Sequence, residues 1–124
     1  MKAAIPVKPV LEGFLEWMER SFGQGQRGAA SEFAVEPPPG ALAVAQVAVD
    51  AAVNGGRPVL LGTSVPVRAV IAALVLGRAG LTREEVFQGS MNDRQFAALA
   101  DALRALKGSK LLIEMPDHQP GIGT

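Results

Sequence analysis

Apolar residues recur at helical spacing near the start of the chain. Leu11, Phe14, Leu15, Met18 and Phe22 fall on one side of Pro9–Phe22, with Glu12, Glu16, Glu19 and Arg20 largely on the other, which predicts an amphipathic helix. The polar, glycine-rich stretch Gly23–Ser31 reads as a loop, and Glu32–Val35 as a short strand. Leu42–Val53 is apolar nearly all round, interrupted by Gln46 and Asp50, and Asn54-Gly55-Gly56 stops it because Asn and Gly tolerate a left-handed cap. Pro58–Leu61 does not alternate, which predicts a short strand buried on both faces.

The second half is punctuated more sharply. Ser64 precedes a helix with Pro66 near its first turn, where a missing N–H costs nothing; the helix runs to about Arg78 and is stopped by Gly80. Thr82 and Glu85 have capping-box spacing and open a short helix to about Phe87. Asn92 starts another, with Phe96, Leu99, Leu103 and Leu106 on one stripe, Arg94, Asp101 and Arg104 off it, and Gly108 at its end. Leu111–Glu114 is a further strand, and Pro116–Thr124 a turn-rich tail. Strands alternating with helices predict an α/β fold with a short parallel sheet of about three strands flanked by helices, joined by right-handed crossovers.

Composition narrows the possibilities. A chain of 124 residues is expected to form one domain, residues 1–124, with flexible tails at 1–8 and 116–124. It can bury roughly 65% of its unfolded surface, and with 48% apolar but only 5% aromatic residues the core must rest on Ala, Val and Leu. The net charge is +0, which provides no electrostatic footprint for nucleic acid. The absence of cysteine excludes disulfides, thiolate metal sites and Cys nucleophiles. Met1–Val7 lacks the apolar core of a signal peptide, and the longest apolar runs fall short of the ~18 residues of a membrane span, so the expected location is the cytoplasm.

The junction Glu36-Pro37-Pro38-Pro39-Gly40-Ala41 lies between a predicted strand and a predicted helix, where nucleotide-binding α/β domains carry G-x-x-x-x-G-K-[ST]. Here one Gly is present, with three prolines, no Lys and no hydroxyl, and proline has no N–H to offer a phosphate. Glu36 also repels anions, so the segment reads as a structural turn.

From about Pro6 to Pro116 the chain resembles the first half of the RecA-like motor domain of replicative DnaB-type helicases. Gly13-Phe14-Leu15-Glu16-Trp17, leading to Ser21 and Gly23, is similar to that family's G-F-x-E-L…T-G-G segment. Leu42–Ala52 looks like the helix after its phosphate loop, and Gly56-Arg57-Pro58-Val59-Leu60-Leu61 resembles its G-K-P-V-L-x-F strand. Leu81–Leu106 follows its pattern of a short helix, a turn (here Gly89-Ser90-Met91-Asn92-Asp93) and another helix, and Leu111-Leu112-Ile113-Glu114 resembles the next strand.

The resemblance covers most of this chain and about half of the family's domain. It implies a truncated RecA-like, P-loop NTPase-like three-layer fold. The departures fall on the chemistry. The loop lacks Lys and Thr, Gly62-Thr63-Ser64-Val65-Pro66 has no acid where the family carries a catalytic Glu, and the sequence stops short of the family's Mg²⁺-binding Asp, DNA-binding loops and arginine finger. Since phosphoryl transfer depends on positioning and charge stabilisation, the resemblance implies shared fold without ATPase or helicase activity.

No residue is therefore assigned a catalytic, cofactor-binding or metal-ligating role. Glu114, Asp117 and His118 cluster after the last strand but read as solvated tail residues rather than a metal site. Ser64 reads as a helix cap, because the only His lies in the tail. Arg68, Arg78, Arg83, Arg94 and Arg104 read as solvated helix faces, and Trp17 as either core or an interface anchor.

Leu42–Val53 and Val67–Leu76 carry too little polar surface to stand exposed on a small monomer, which predicts self-association, as a dimer, or docking to a replication partner such as the helicase itself. The expected function is a non-catalytic interaction module. The other readings are a nucleotide or small-ligand sensor or enzyme using Ser64, Glu114 or His118 at the strand ends, and an accessory DNA-binding protein.

Overall fold

The computed structural model describes residues 2–25, 30–62 and 65–116. In chain order the elements are β1 (Lys2–Pro6), α1 (Lys8–Ser21), a 3-10 turn (Glu32–Ala34), α2 (Pro39–Gly55), β2 (Val59–Leu61), α3 (Val67–Ala79), α4 (Arg83–Gln88), α5 (Asp93–Lys107) and β3 (Leu111–Pro116). The architecture is mixed α/β, a small three-stranded sheet with helices packed against it.

The caps predicted for the last two helices form, whereas α3 has Pro66 at its N-cap with no side-chain cap, and Ser64, expected to cap it, lies outside the described residues. The Thr82 hydroxyl accepts from the Glu85 N–H while the Glu85 carboxylate accepts from the Thr82 N–H, and Asn92 and Gln95 repeat the arrangement at α5. Hydrogen bonds from the Thr82 N–H and the Gln95 amide hold the Glu85 carboxyl below its ordinary pKa. Gly56 and Gly80, at φ 67 and φ 70, end α2 and α3 in the left-handed region, where a Cβ is penalised.

The sheet differs from the expectation in three ways. Its order is β1-β3-β2, and it is mixed rather than parallel: β2 runs parallel to β3 with Leu61 beside Ile113, whereas β1 runs antiparallel with Ile5 beside Ile113. Within residues 1–8, expected to be a flexible tail, Lys2–Pro6 thus forms an edge strand. A short segment with two alanines and a proline has little strand propensity of its own, and pairing with β3 decides its conformation. The other expected tail lies outside the described residues beyond Pro116.

The third difference is at Glu32–Val35, where the expected strand is absent. The Ser31 hydroxyl accepts from the Phe33 N–H and starts a 3-10 turn. The carbonyls of Phe33 and Val35, which a strand would offer to a neighbour, instead accept from the Arg83 guanidinium at 3.4 and 3.1 Å. Among the described residues no strand therefore stands between α1 and α2.

The helices gather on one face of the sheet. α2 lies against β2 and β3 and also against α3 and α5, which places all three on the same side. That face carries Leu61, Leu111 and Ile113, all buried in one continuous core with the helices. The opposite face carries Leu60, 51% exposed, and half-buried Leu112 in the adjacent register. Among the described residues the arrangement therefore has two layers instead of the expected three, and β2 is buried on one face only.

α3 lies at the centre of the helical layer, touching α1, α2, α5 and the 3-10 turn. Val67, Ala69, Val70, Ile71, Ala72, Leu74, Val75, Leu76 and Ala79 are all buried. Its apolar residues are thus covered within the chain, while Arg68 and Arg78 stay at the surface. No described helix is long and apolar enough to cross a membrane.

Candidate interaction surface

The Glu36–Gly40 segment forms a proline-braced approach to α2. Pro38 occupies the N-cap, extended at φ -62 and ψ 149 with no side-chain cap, and α2 begins at Pro39, earlier than Leu42. Pro37, Pro38 and Pro39 have no N–H, and the Leu42 N–H is already given to the Pro38 carbonyl. What remains at this helix start is a poor cradle for a phosphate.

The preceding turn is held from the α3–α4 side. Arg68 Nη1 meets Glu32 Oε1 at 3.2 Å on the surface, and half-buried Arg83 donates to the Phe33 and Val35 carbonyls. Burial lowers the pKa of Arg83, opposed by the nearby Glu36 carboxylate, and the group stays charged throughout the accessible pH range. Arg83 is thus a structural clamp rather than part of a solvated face. Arg83→Ala is expected to cost about 1–2 kcal/mol, the range of a charged hydrogen bond discounted for partial exposure. Urea denaturation would measure the loss, and faster amide exchange at 33–36 would locate it. Lysine should restore little, because it lacks the planar fork.

The remaining candidates are dispersed. Arg78 pairs with Asp50 at 3.6 Å and Arg104 with Asp101 at 2.9 Å, both at the surface, and Arg94 is exposed on α5. Ser64, Asp117 and His118 lie outside the described residues. Glu114 sits on β3 near the C-terminal end of β2, where a β-carbon added at Gly62 would stand 2.5 Å from its Oε1. Among the described residues no group of three or more His, Cys, Asp or Glu could hold a metal ion.

Trp17 is 1% exposed and belongs to the core. Its ring stacks on Phe33 and meets Phe87 edge-on, both at 6.1 Å between centroids, and lies 5.8 Å from Phe14. The interface-anchor alternative for Trp17 is therefore excluded by its burial. No spacing rule near Trp17 could indicate this, because Phe33 and Phe87 reach it from distant parts of the chain.

The apolar surface lies elsewhere. On α2 only Ala45, Val49 and Ala52 are buried, while Val44 and Val47 are 64% and 69% exposed. Gly40, Val44, Val47, Ala51 and Asn54 follow one another at steps of four, three, four and three, and all are exposed. That is the spacing of a helix–helix seam. No charge interrupts it. Asp50, the one charged residue of α2, accepts from the Gln46 amide at 3.1 Å and pairs with Arg78 of α3. A second apolar surface runs between α1 and α5, where Leu15 and Phe96 are 42% and 49% exposed. Comparison with protein families, with curated proteins and with solved structures found no match, so the surfaces themselves are the guide to function.

Proposed function

We propose that the chain is a non-catalytic interaction module, a truncated RecA-like relative of the replicative helicase motor domain, that associates with itself through the outward face of α2. The uncharged seam centred on Val44 and Val47 carries this reading. Leaving two valines this exposed on a helix already supplied with a buried face has a cost that a partner would relieve. A seam without charge is compatible with its own copy, and a two-fold pairing of α2 with α2 would bring identical residues together without repulsion. α2 has 17 residues and is about 25 Å long, so this pairing alone buries less than the ~800 Å² per partner of a standard interface. The expected dimer is correspondingly weak, in the micromolar range.

The absence of ATP hydrolysis is part of the same proposal, supported by the donor-poor prolines before α2 and the missing Lys and hydroxyl. Light scattering and sedimentation test the association. The wild type is expected to be mainly dimeric at about 100 µM, and Val47→Asp monomeric with an unchanged circular dichroism spectrum. A monomeric wild type at that concentration, or a Val47→Asp variant that still dimerises, would overturn it. A monomer that instead migrates with the replicative helicase would replace the second copy by that partner. Mg-ATP should leave the melting temperature unchanged, whereas ATP at 100 times its Kd would add about 2.7 kcal/mol.

A further inference from the structure

The surface between α1 and α5 is a continuous trough. Its apolar end, a hollow of about 370 Å³, is lined by Leu15, Met18, Phe22, Met91, Phe96 and Leu99, with Glu19 beside them. The Phe22 and Phe96 rings meet across it at 6.2 Å. Leu15 also lines the adjoining hollow of about 330 Å³, which continues past Glu12 and Leu103 to Lys8, Arg104 and Lys107. Lys8 and Lys107 then open onto a third hollow of about 310 Å³, where Lys110 joins them above Val7, Leu111 and Leu112.

The trough therefore has a direction. Lys8, Lys107 and Lys110 collect at the end formed by the start of α1 and the finish of α5, and among the described residues none of the three is held in an ion pair. Arg104 is already engaged by Asp101. At the opposite end, among the described residues, the only charged lining residue is Glu19, beside Phe and Met side chains. Leu11, Leu15, Ala100 and Leu103 line the middle, where Glu12 is the one acid among Lys8, Arg104 and Lys107, and Met and Phe at the far end are adaptable surfaces for an apolar helix face.

We propose that this trough is a docking site for an amphipathic helix of a partner protein, acidic at its N-terminal end and apolar along the face that enters. Charge complementarity selects this occupant. An acidic first turn would meet the three free lysines, and a basic last turn would meet Glu19. That is the charge order helices favour on account of their own dipole. The bound helix would run parallel to α1, whose 14 residues span about 21 Å, or four turns. Phe96 and Leu15 would receive its central anchors. The site shares no residue with the α2 seam, so its failure and that of the α2 pairing are separately observable.

Two labelled helical peptides of about four turns, identical in their apolar face, test this. One carries Glu in its first turn and Lys in its last; the other has these charges interchanged. Fluorescence anisotropy against the full chain is expected to show the first binding about tenfold more tightly, with the preference fading as salt rises. Phe96→Asp should weaken binding of the first peptide at least tenfold while leaving the fold intact, since Phe96 is half-exposed. The double charge reversal Lys8→Glu with Lys107→Glu should reverse the preference between peptides, and it serves equally if Phe96→Asp does not fold. Equal binding of both peptides, or binding indifferent to both sets of substitutions, overturns the proposal. So does Phe96-dependent uptake of the protein onto phosphatidylserine vesicles with no peptide binding, which would make the trough a membrane contact. A Phe96→Asp change in the protein's own oligomeric state would likewise overturn it, by assigning the trough to a second copy.

Discussion

Replacing Trp17 with alanine is expected to remove about 3–5 kcal/mol of stability, the range for truncating a large aromatic core residue. Against a total of roughly 5–15 kcal/mol for a domain, this leaves a marginal or unfolded protein. Burial alone does not account for the expectation. Trp17 joins three separate parts of the chain: its own helix through Phe14, the 3-10 turn through Phe33 and α4 through Phe87. Such aromatic pairs add about 0.5–1.5 kcal/mol beyond the area they bury. Away from the aromatic rings the core is mostly Ala, Val and Leu, whose small side chains fill little of the space an indole leaves. Urea denaturation followed by circular dichroism measures the loss, and a cost below about 1 kcal/mol would show that the aromatic cluster is not the centre of the core. Trp17→Phe, which keeps a ring at this position, should recover a substantial part of the difference.

The second large effect is a contrast between the two apolar helices. Ala72→Asp is expected to unfold the protein, whereas the same acid at Val47 only dissociates it. Ala72 is completely buried in α3, which is enclosed by α1, α2 and α5. A carboxylate there would be unpaired and would also need room in a packed interior. Either problem costs several kcal/mol, and together they exceed what most domains can lose. Val47 is 69% exposed, and a carboxylate there remains in water. Melting curves at low protein concentration separate the outcomes. A folded Ala72→Asp variant would mean that α3 opens to solvent or to a partner and is not enclosed by its own chain.

By sequence pattern α2 and α3 are nearly the same kind of element: apolar around most of the circumference, ended by glycine and short of charge. Both therefore read as surfaces seeking a partner. The structure separates them by position. α3 passes through the middle of the helical layer with its apolar residues covered and only Arg68, Gly77 and Arg78 exposed, whereas α2 presents Val44 and Val47 outward. Half of the original case for association is thus absorbed by the fold, and the other half is concentrated on one seam.

The loop before α2 followed a similar course. Its missing Lys, hydroxyl and N–H groups were evident from Pro37-Pro38-Pro39-Gly40 alone. That Glu32–Val35 is not a strand was not, because Arg83, about 50 residues away, takes the carbonyls of Phe33 and Val35. The α1–α5 trough was likewise invisible. Leu15 and Phe96 each belonged to an apolar stripe expected to be buried, and only the packing of the two helices leaves their rims open.

What the amino-acid sequence determined by itself was where α4 and α5 begin, where α2 and α3 end, and which faces are apolar. The capping boxes at Thr82 and Asn92 and the left-handed glycines at 56 and 80 act within about one helical turn, so nearby residues suffice to specify them. Tertiary structure alone decided the antiparallel pairing of β1, the 3-10 turn at Glu32–Ala34, the burial of Trp17 and which apolar helix faces outward. Each depends on hydrogen-bond partners or cover supplied from far along the chain, and no local pattern encodes which distant residue will arrive.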